Sequence, residues 1–95
     1  MLSITKAVYL EDYKIQLTFN NGLVGVANLK ELINTEKRKV FACLKDKNVF
    51  KNFQLNFGTI VWFSELDLAP EYLFYLVFKN QDEFQMQFKT WGYIN

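Results

Sequence analysis

The chain has 95 residues, of which 51% are hydrophobic and 18% aromatic, so it has the length and apolar content of one folded domain rather than a disordered segment. Eleven basic and ten acidic side chains leave a formal net charge of +1. This balance excludes a strong overall field that would draw the protein to nucleic acid or an anionic membrane, so any such binding must be local.

Three strands are predicted at the start of the chain. Residues 4–10 form the first, and "YKIQLTF" at 13–19 alternates apolar and polar side chains with the period of a half-buried strand. Asn21 and Gly22 follow, and this pair favours a tight type I′ turn. The chain therefore returns as a third strand at 23–29, which completes an antiparallel meander.

Two short helices are predicted next, at 29–34 and 40–50. Asn28 precedes the first helix and offers a side-chain oxygen to its free amides, while Glu31 follows three residues later as in a capping box. Asp46 is placed to cap a further turn that reaches the end of the second helix.

A later hairpin is predicted from "NFQLNF" at 52–57 and "TIVWF" at 59–63, which are joined at Gly58. Trp62 is a structural residue of the second of these strands. The predicted fold class is therefore α+β, with an antiparallel meander, a later hairpin and short helices packed on one face.

The segment "WFSELDLAPEYLF" combines three carboxylates, Glu65, Asp67 and Glu71, with the only proline, Pro70. Converging carboxylates can hold Mg²⁺ or divide acid and base work, which makes a metal-assisted hydrolase the enzymatic alternative. The same residues suit a helix start, with Asp67 as cap, Pro70 in the first turn and Glu71 favoured by the helix dipole. The helix start is the preferred interpretation, and it makes Asp67 and Pro70 structural residues.

The C-terminal part contains two further elements. The run "EYLFYLVF" at 71–78 is apolar throughout and fits either a buried helix or a strand. The alternating "EFQMQFK" at 83–89 predicts a strand, so residues 72–88 are compatible with a hairpin around "KNQD".

Several of these segments together resemble the bacterial family called domain of unknown function 2442. The similarity consists of "YKIQLTFNNG", "VANLKELI", "VFACLKDKNVF" and "FGTIVWFSELDLAPEYLF", in the order and spacing of that family, and covers about residues 4–75. It implies a small α+β domain whose gene often lies beside that of another small protein, in the manner of toxin and antitoxin pairs. Residues 1–95 are then one domain, with 76–95 as a C-terminal extension predicted to be a strand.

The middle of the chain is locally basic. Residues 37–51 hold six of the eleven positive charges: Lys37, Arg38, Lys39, Lys45, Lys47 and Lys51. Such a cluster can contact phosphates, with interleaved Phe41, Phe50 and Phe53 as base-stacking side chains, which makes weak nucleic-acid binding an alternative function. A solvated basic face with the aromatic rings in the core is the preferred interpretation.

The C-terminal segment is rich in aromatic residues, which are also enriched at the centres of protein interfaces. Core filling and a partner-binding or self-association surface are equally compatible with this composition. The candidate surface consists of Tyr72, Tyr75, Phe84, Phe88, Trp91 and Tyr93.

The sequence offers little for catalysis. It contains no histidine, its single cysteine, Cys43, has no histidine to activate it, and its glycines form no nucleotide-binding pattern. We therefore expect no catalytic, cofactor or metal site. The predicted function is a cytoplasmic, non-enzymatic protein-interaction module, either antitoxin-like or homodimeric, without a membrane segment.

Overall fold

The computed structural model describes all 95 residues and contains two three-stranded antiparallel sheets. The first sheet has the order β1-β2-β3, with β1 at Ile4–Tyr9, β2 at Lys14–Phe19 and β3 at Val24–Asn28. The second has the order β4-β5-β6, with β4 at Gln54–Asn56, β5 at Thr59–Trp62 and β6 at Leu66–Asp67. The α+β fold with a meander and a later hairpin is thus confirmed.

Five α-helices accompany the sheets: α1 at Lys30–Thr35, α2 at Lys39–Ala42, α3 at Lys47–Phe50, α4 at Pro70–Phe78 and α5 at Gln85–Trp91. The predicted helix at 40–50 is divided, because a 3-10 turn follows α2 and Asp46 has an extended ψ of 115°. Asp46 Oδ1 accepts a hydrogen bond from the Asn48 N–H at 2.9 Å and caps α3 as predicted. None of these helices is long and apolar enough to cross a membrane.

The turn between β2 and β3 differs from the type I′ prediction. Gly22 has a φ of 88°, but Asn21 is not in the left-handed region, and a type I′ turn requires both residues there. The Gly22 N–H donates to the Phe19 carbonyl at 2.9 Å, and the Phe19 N–H donates to the Leu23 carbonyl at 2.9 Å. This is a type I turn followed by a left-handed glycine, so the predicted turn type is wrong while its position is right.

Three other hairpin turns do place both central residues at positive φ, namely Asp12–Tyr13, Phe57–Gly58 and Phe63–Ser64. Left-handed backbone is costly for a residue with a Cβ atom, so tertiary contacts must hold these turns. At Tyr13 such contacts are visible: its hydroxyl donates to the Lys45 carbonyl, and its ring meets the edge of Phe50 at 5.2 Å between centroids.

Helix α4 covers the inner face of the meander at its β3 side. The residues of β3 that face inward are small, Gly25 and Ala27, whereas the inward residues of β2 are the large Ile15 and Leu17. A Cβ atom at Gly25 would lie 2.3 Å from Val77 Cγ1 of α4. Glycine at this position therefore permits the close approach of the helix to the strand.

Phe50 and Trp62 join the two sheets. Both side chains are buried, and their rings lie 5.6 Å apart. Phe50 also contacts Tyr9 of the meander at 5.8 Å, while the Trp62 indole N–H donates to the Phe50 carbonyl at 2.7 Å. Trp62 thus connects β5 to α3 and, through Phe50, to the meander.

The strand predicted at 83–89 is wrong, and so is the hairpin at 72–88. Residues 71–78 are helical in α4, and "EFQMQFK" lies in a 3-10 turn at Asp82–Phe84 and in α5. Phe84 and Phe88 are four residues apart, so they lie on one side of a helix as readily as on one side of a strand. Met86 distinguishes the two cases: it would share that side in a strand, yet it is 74% exposed.

The C-terminal aromatic side chains pack against one another between α4 and α5. Tyr75 stacks on Tyr93 at 5.2 Å and meets the edge of Phe88 at 5.2 Å, and Trp91 meets the edge of Phe74 at 6.1 Å. Burial raises the pKa of Tyr93 and, with the added effect of Tyr75 and Tyr93, that of Tyr72. The folded state therefore favours the protonated form of both phenols.

We expect Gly25→Ala to lower the free energy of unfolding by about 1–3 kcal/mol, because the new methyl group overlaps Val77. Urea denaturation measures this change. The control is the double variant with Val77→Ala, which removes the overlapping atom and should recover most of the loss. Additive effects of the two substitutions would contradict the contact.

The tyrosine pKa values predict a loss of stability in alkali. Because the folded-state pKa values of Tyr72 and Tyr93 are raised, their contribution is complete below about pH 10 and is lost as the pH rises through the folded values. Urea denaturation across this range measures it against a variant with Tyr72→Phe and Tyr93→Phe, whose stability should fall less steeply. Equal slopes would show that these phenols titrate normally.

Candidate interaction surfaces

The predicted aromatic surface is largely internal. Phe88 is completely buried, and the other five proposed residues are partly buried and pack against the main core. Their rings contact each other and Phe74 rather than projecting together into solvent. The structure therefore packs these aromatic side chains against the core, and little of their area is left for a partner. The six residues are Tyr72, Tyr75, Phe84, Phe88, Trp91 and Tyr93.

The basic segment forms an exposed face built by α2, the 3-10 turn and α3. Arg38 pairs with Glu36 at 3.1 Å and lies over the Phe41 ring at 4.9 Å, so one of the six positive charges of the basic segment is locally neutralised. Lys37, Lys39, Lys45 and Lys51 are exposed and have no carboxylate within ion-pair distance. Phe41 and Phe50 are buried, which agrees with their interpretation as core residues rather than base-stacking platforms.

Asp12 links the meander to the basic face. Its two carboxylate oxygens lie 3.3 Å from Lys30 Nζ and 3.5 Å from Lys47 Nζ. The hydrogen bond and charge of Lys30, followed by those of Lys47, hold the pKa of Asp12 below its ordinary value. Lys47 also lies 5.6 Å from the centre of the Tyr13 ring. These exposed ion pairs contribute little to stability by themselves. They do pair Lys47 with a carboxylate of the protein, unlike the other lysines of the basic segment.

The acidic stretch does not bring its carboxylates together: the structure contains no group of three or more histidine, cysteine, aspartate or glutamate side chains close enough to hold a metal ion. Pro70 begins α4 and Glu71 lies in its first turn, as predicted. The cap predicted at Asp67 is wrong: Asp67 belongs to β6, and the residue before the helix is Ala69, with no side-chain cap. The helix begins two residues later than a cap at Asp67 requires.

The sequence prediction missed the outer face of the meander. This outer face, which carries no helix, exposes four aliphatic side chains: Val8, Leu10, Val24 and Val26. Val8 lies opposite Gln16, which lies opposite Val26, so the aliphatic side chains form an apolar band that is interrupted at the polar middle strand β2. The signal was present in "LVGVAN", where valines alternate with Gly25 and Ala27, because small residues on one side leave room for a helix there.

Comparisons with known proteins agree on the fold. The family model described as "Protein of unknown function (DUF2442)" matches residues 4–79. No curated protein matches the chain significantly. A crystal structure from Nitrosomonas europaea ATCC 19718, named "Putative DNA Binding Protein", is similar with a TM-score of 0.69 and 16% sequence identity.

The similarity to that structure covers 83% of this chain and 50% of the other, so this chain spans about half its length. At this identity the likeness establishes the shared fold alone. The family match covers most of the chain, including the meander, helices α1 to α3, the second sheet and α4. The chain belongs to the DUF2442 family.

Proposed function

We propose that the protein is a non-enzymatic module that binds a second protein in the cytoplasm. The observation that carries the proposal is the uncovered outer face of the meander, where Val8, Leu10, Val24 and Val26 are each more than 40% exposed. Several aliphatic side chains exposed together on one face of a sheet, with polar residues between them, are typical of protein-binding surfaces.

The surroundings of this band favour a protein over a membrane or a small molecule as its ligand. Gln16 and Thr18 lie between the valines and can exchange hydrogen bonds with polar groups of a partner. None of the cavities of the structure is lined by the four aliphatic side chains of this band, whereas small ligands bind in clefts. A small protein encoded by a neighbouring gene, as in toxin and antitoxin pairs, is the partner that the family resemblance suggests.

Val8→Glu tests this proposal, because it places a charge within the band, on its β1 side, without touching the core. We expect it to weaken the complex with the neighbouring gene's product about tenfold or more, since a buried unpaired charge costs over 1.4 kcal/mol. Co-expression followed by calorimetry measures the affinity.

Met86→Glu is the matched control, because Met86 is an exposed apolar residue on α5, away from the outer face. It should leave binding unchanged. If the two proteins fail to associate, or if both variants bind as the wild type does, the outer face is not the binding surface.

Nucleic-acid binding through the basic segment is a second candidate. Two observations favour it: four exposed lysines without ion-pair partners, and a structural neighbour whose name refers to DNA binding. Phosphate contacts by such side chains supply affinity without reading sequence. Any complex should therefore be weak, independent of sequence and sensitive to salt.

The substitutions Lys39→Gln and Lys45→Gln, made together, remove two phosphate contacts. They should therefore make the slope of log K against log salt less negative by about two. Fluorescence anisotropy with a random-sequence duplex measures the slope. The control pair Lys6→Gln and Lys14→Gln removes the same charge from the meander and should change it little. Equal effects of the two pairs would show that the phosphate contacts are not confined to the basic segment. A complex that is sequence-specific and resists salt would refute the proposed weak, sequence-independent binding.

A further inference from the structure

The two edges of the meander differ in how they are protected. At the β1 edge the register shifts between Ile4 and Lys6, and the β4–β5 hairpin approaches, with the Ile4 N–H donating to the Gly58 carbonyl at 2.7 Å. A bulge, a lysine and a covering hairpin are devices that prevent a sheet edge from pairing with another chain. The β1 edge is therefore closed to a further strand.

The backbone of β3 leaves hydrogen-bonding groups unpaired. At its two ends, Leu23 accepts from the Phe19 N–H at 2.9 Å, and the Leu29 N–H donates to Tyr13 at 3.0 Å. Along an antiparallel strand, the backbone N–H and C=O groups of successive residues point alternately toward and away from the neighbouring strand. Since Leu23 and Leu29 bond to the β2 side, Val24 and Val26 point their N–H and C=O groups away from β2. Since β3 is the last strand of its sheet, these groups face no other strand.

None of the usual protective devices occurs on β3. The strand contains neither proline nor a charged residue, and its register with β2 is regular over all five pairs. Val24 and Val26, whose free backbone groups define the β3 edge, are 49% and 43% exposed. An open, regular and apolar edge of this kind is a template for strand addition.

We infer that the β3 edge binds an extended segment of a partner protein as a fourth strand of the meander. This inference rests on the proposed protein-binding function and specifies how the partner is held. The added strand would bond to Val24 and Val26 and would place alternate side chains beside the apolar band of the outer face.

Helix α4 excludes a second copy of this chain as the added strand. The helix lies directly over β3, as the approach of Val77 to Gly25 shows. Two copies paired through β3 would bring their α4 helices onto the same side of one continuous sheet. Paired strands lie about 4.8 Å apart, but packed helices need about 8–10 Å, so the helices would overlap. A bare extended segment meets no such obstacle.

The surroundings of β3 also specify the chemistry of the segment. A cavity of about 450 Å³ lies at the Asn28 end of β3. It is lined by Asn28, Lys30, Glu31, Asn34, Thr35 and Lys79. Lys30 is already bonded to Asp12, whereas Lys79 has no carboxylate partner. The segment should therefore carry alternating β-branched residues and, near the Asn28 end of β3, polar side chains that bond to the amide, hydroxyl and charged groups lining this cavity.

Val26→Pro tests the inference, because proline removes the outward N–H and leaves the bonds between β3 and β2 intact. The probe is a phage-displayed library of twelve-residue peptides selected on the wild-type protein. Selected peptides should bind Val26→Pro about tenfold more weakly, because the peptide loses the hydrogen bond to the Val26 N–H and the proline ring lies at the edge where the peptide would pair. Val26→Thr is the matched control, since it keeps the N–H and the branched shape and should bind nearly as the wild type does.

Two measurements guard against a folding defect. Thermal denaturation checks that each variant is folded, and Val24→Pro replaces the test at the neighbouring outward position if Val26→Pro is not. Amide exchange provides an independent readout: the Val24 and Val26 amides should exchange rapidly in the free protein and become protected by peptide. The inference would be overturned if the Val24 and Val26 amides already exchanged slowly in the free protein, or if the peptides bound Val26→Pro as well as the wild type.

The outcome also separates this inference from the proposed function. If the neighbouring gene's product binds and Val8→Glu weakens it while Val26→Pro does not, the protein-binding function stands and strand addition fails. If no peptide that depends on Val26 is selected, strand addition fails as well. A dimer in sedimentation analysis that Val26→Pro dissociates would show that the edge is used by a second copy instead.

Discussion

The contact between Phe50 and Trp62 is the interaction on which the rest of the structure depends. Phe50 lies at the end of a helix of only four residues, which has too few internal hydrogen bonds to be stable alone. Its ring packs against the meander and against Trp62, and its carbonyl accepts the Trp62 indole N–H at 2.7 Å. Short helices and short strands thus stabilise each other through one buried aromatic pair.

This arrangement also determines which surfaces remain free. The helices and the second sheet gather on the inner side of the meander, where the core needs large side chains from β2 and allows only small ones from β3. No helix or strand therefore packs on the outer face of the meander or along the β3 edge. A small domain with a single core buries one side of its sheet, so the surface offered to other molecules follows from the packing.

The elements with strong local signals were predictable. Alternation in "YKIQLTF", the capping oxygen of Asp46, and proline at the start of α4 each act through neighbours in sequence. Asn28 accepts from the Lys30 N–H at 3.0 Å, but the residue at the cap position of α1 is Leu29, which makes no side-chain cap bond. The side-chain surface was less predictable. Val24 and Val26 look like core residues by hydrophobicity, yet they are exposed, because α4 occupies the other side of β3.

The sequence by itself determined the α+β class, the meander, the later hairpin and the first helices, because their signals are local in the chain. Only the tertiary structure decided the state of "EFQMQFK", since Phe84 and Phe88 satisfy both a two-residue and a helical period. Their contacts with Phe74, at 5.0 and 6.2 Å, hold the helix and leave Met86 in solvent. The left-handed backbone of Tyr13 was likewise decided by contacts with residues more than thirty positions away, because local preference opposes it.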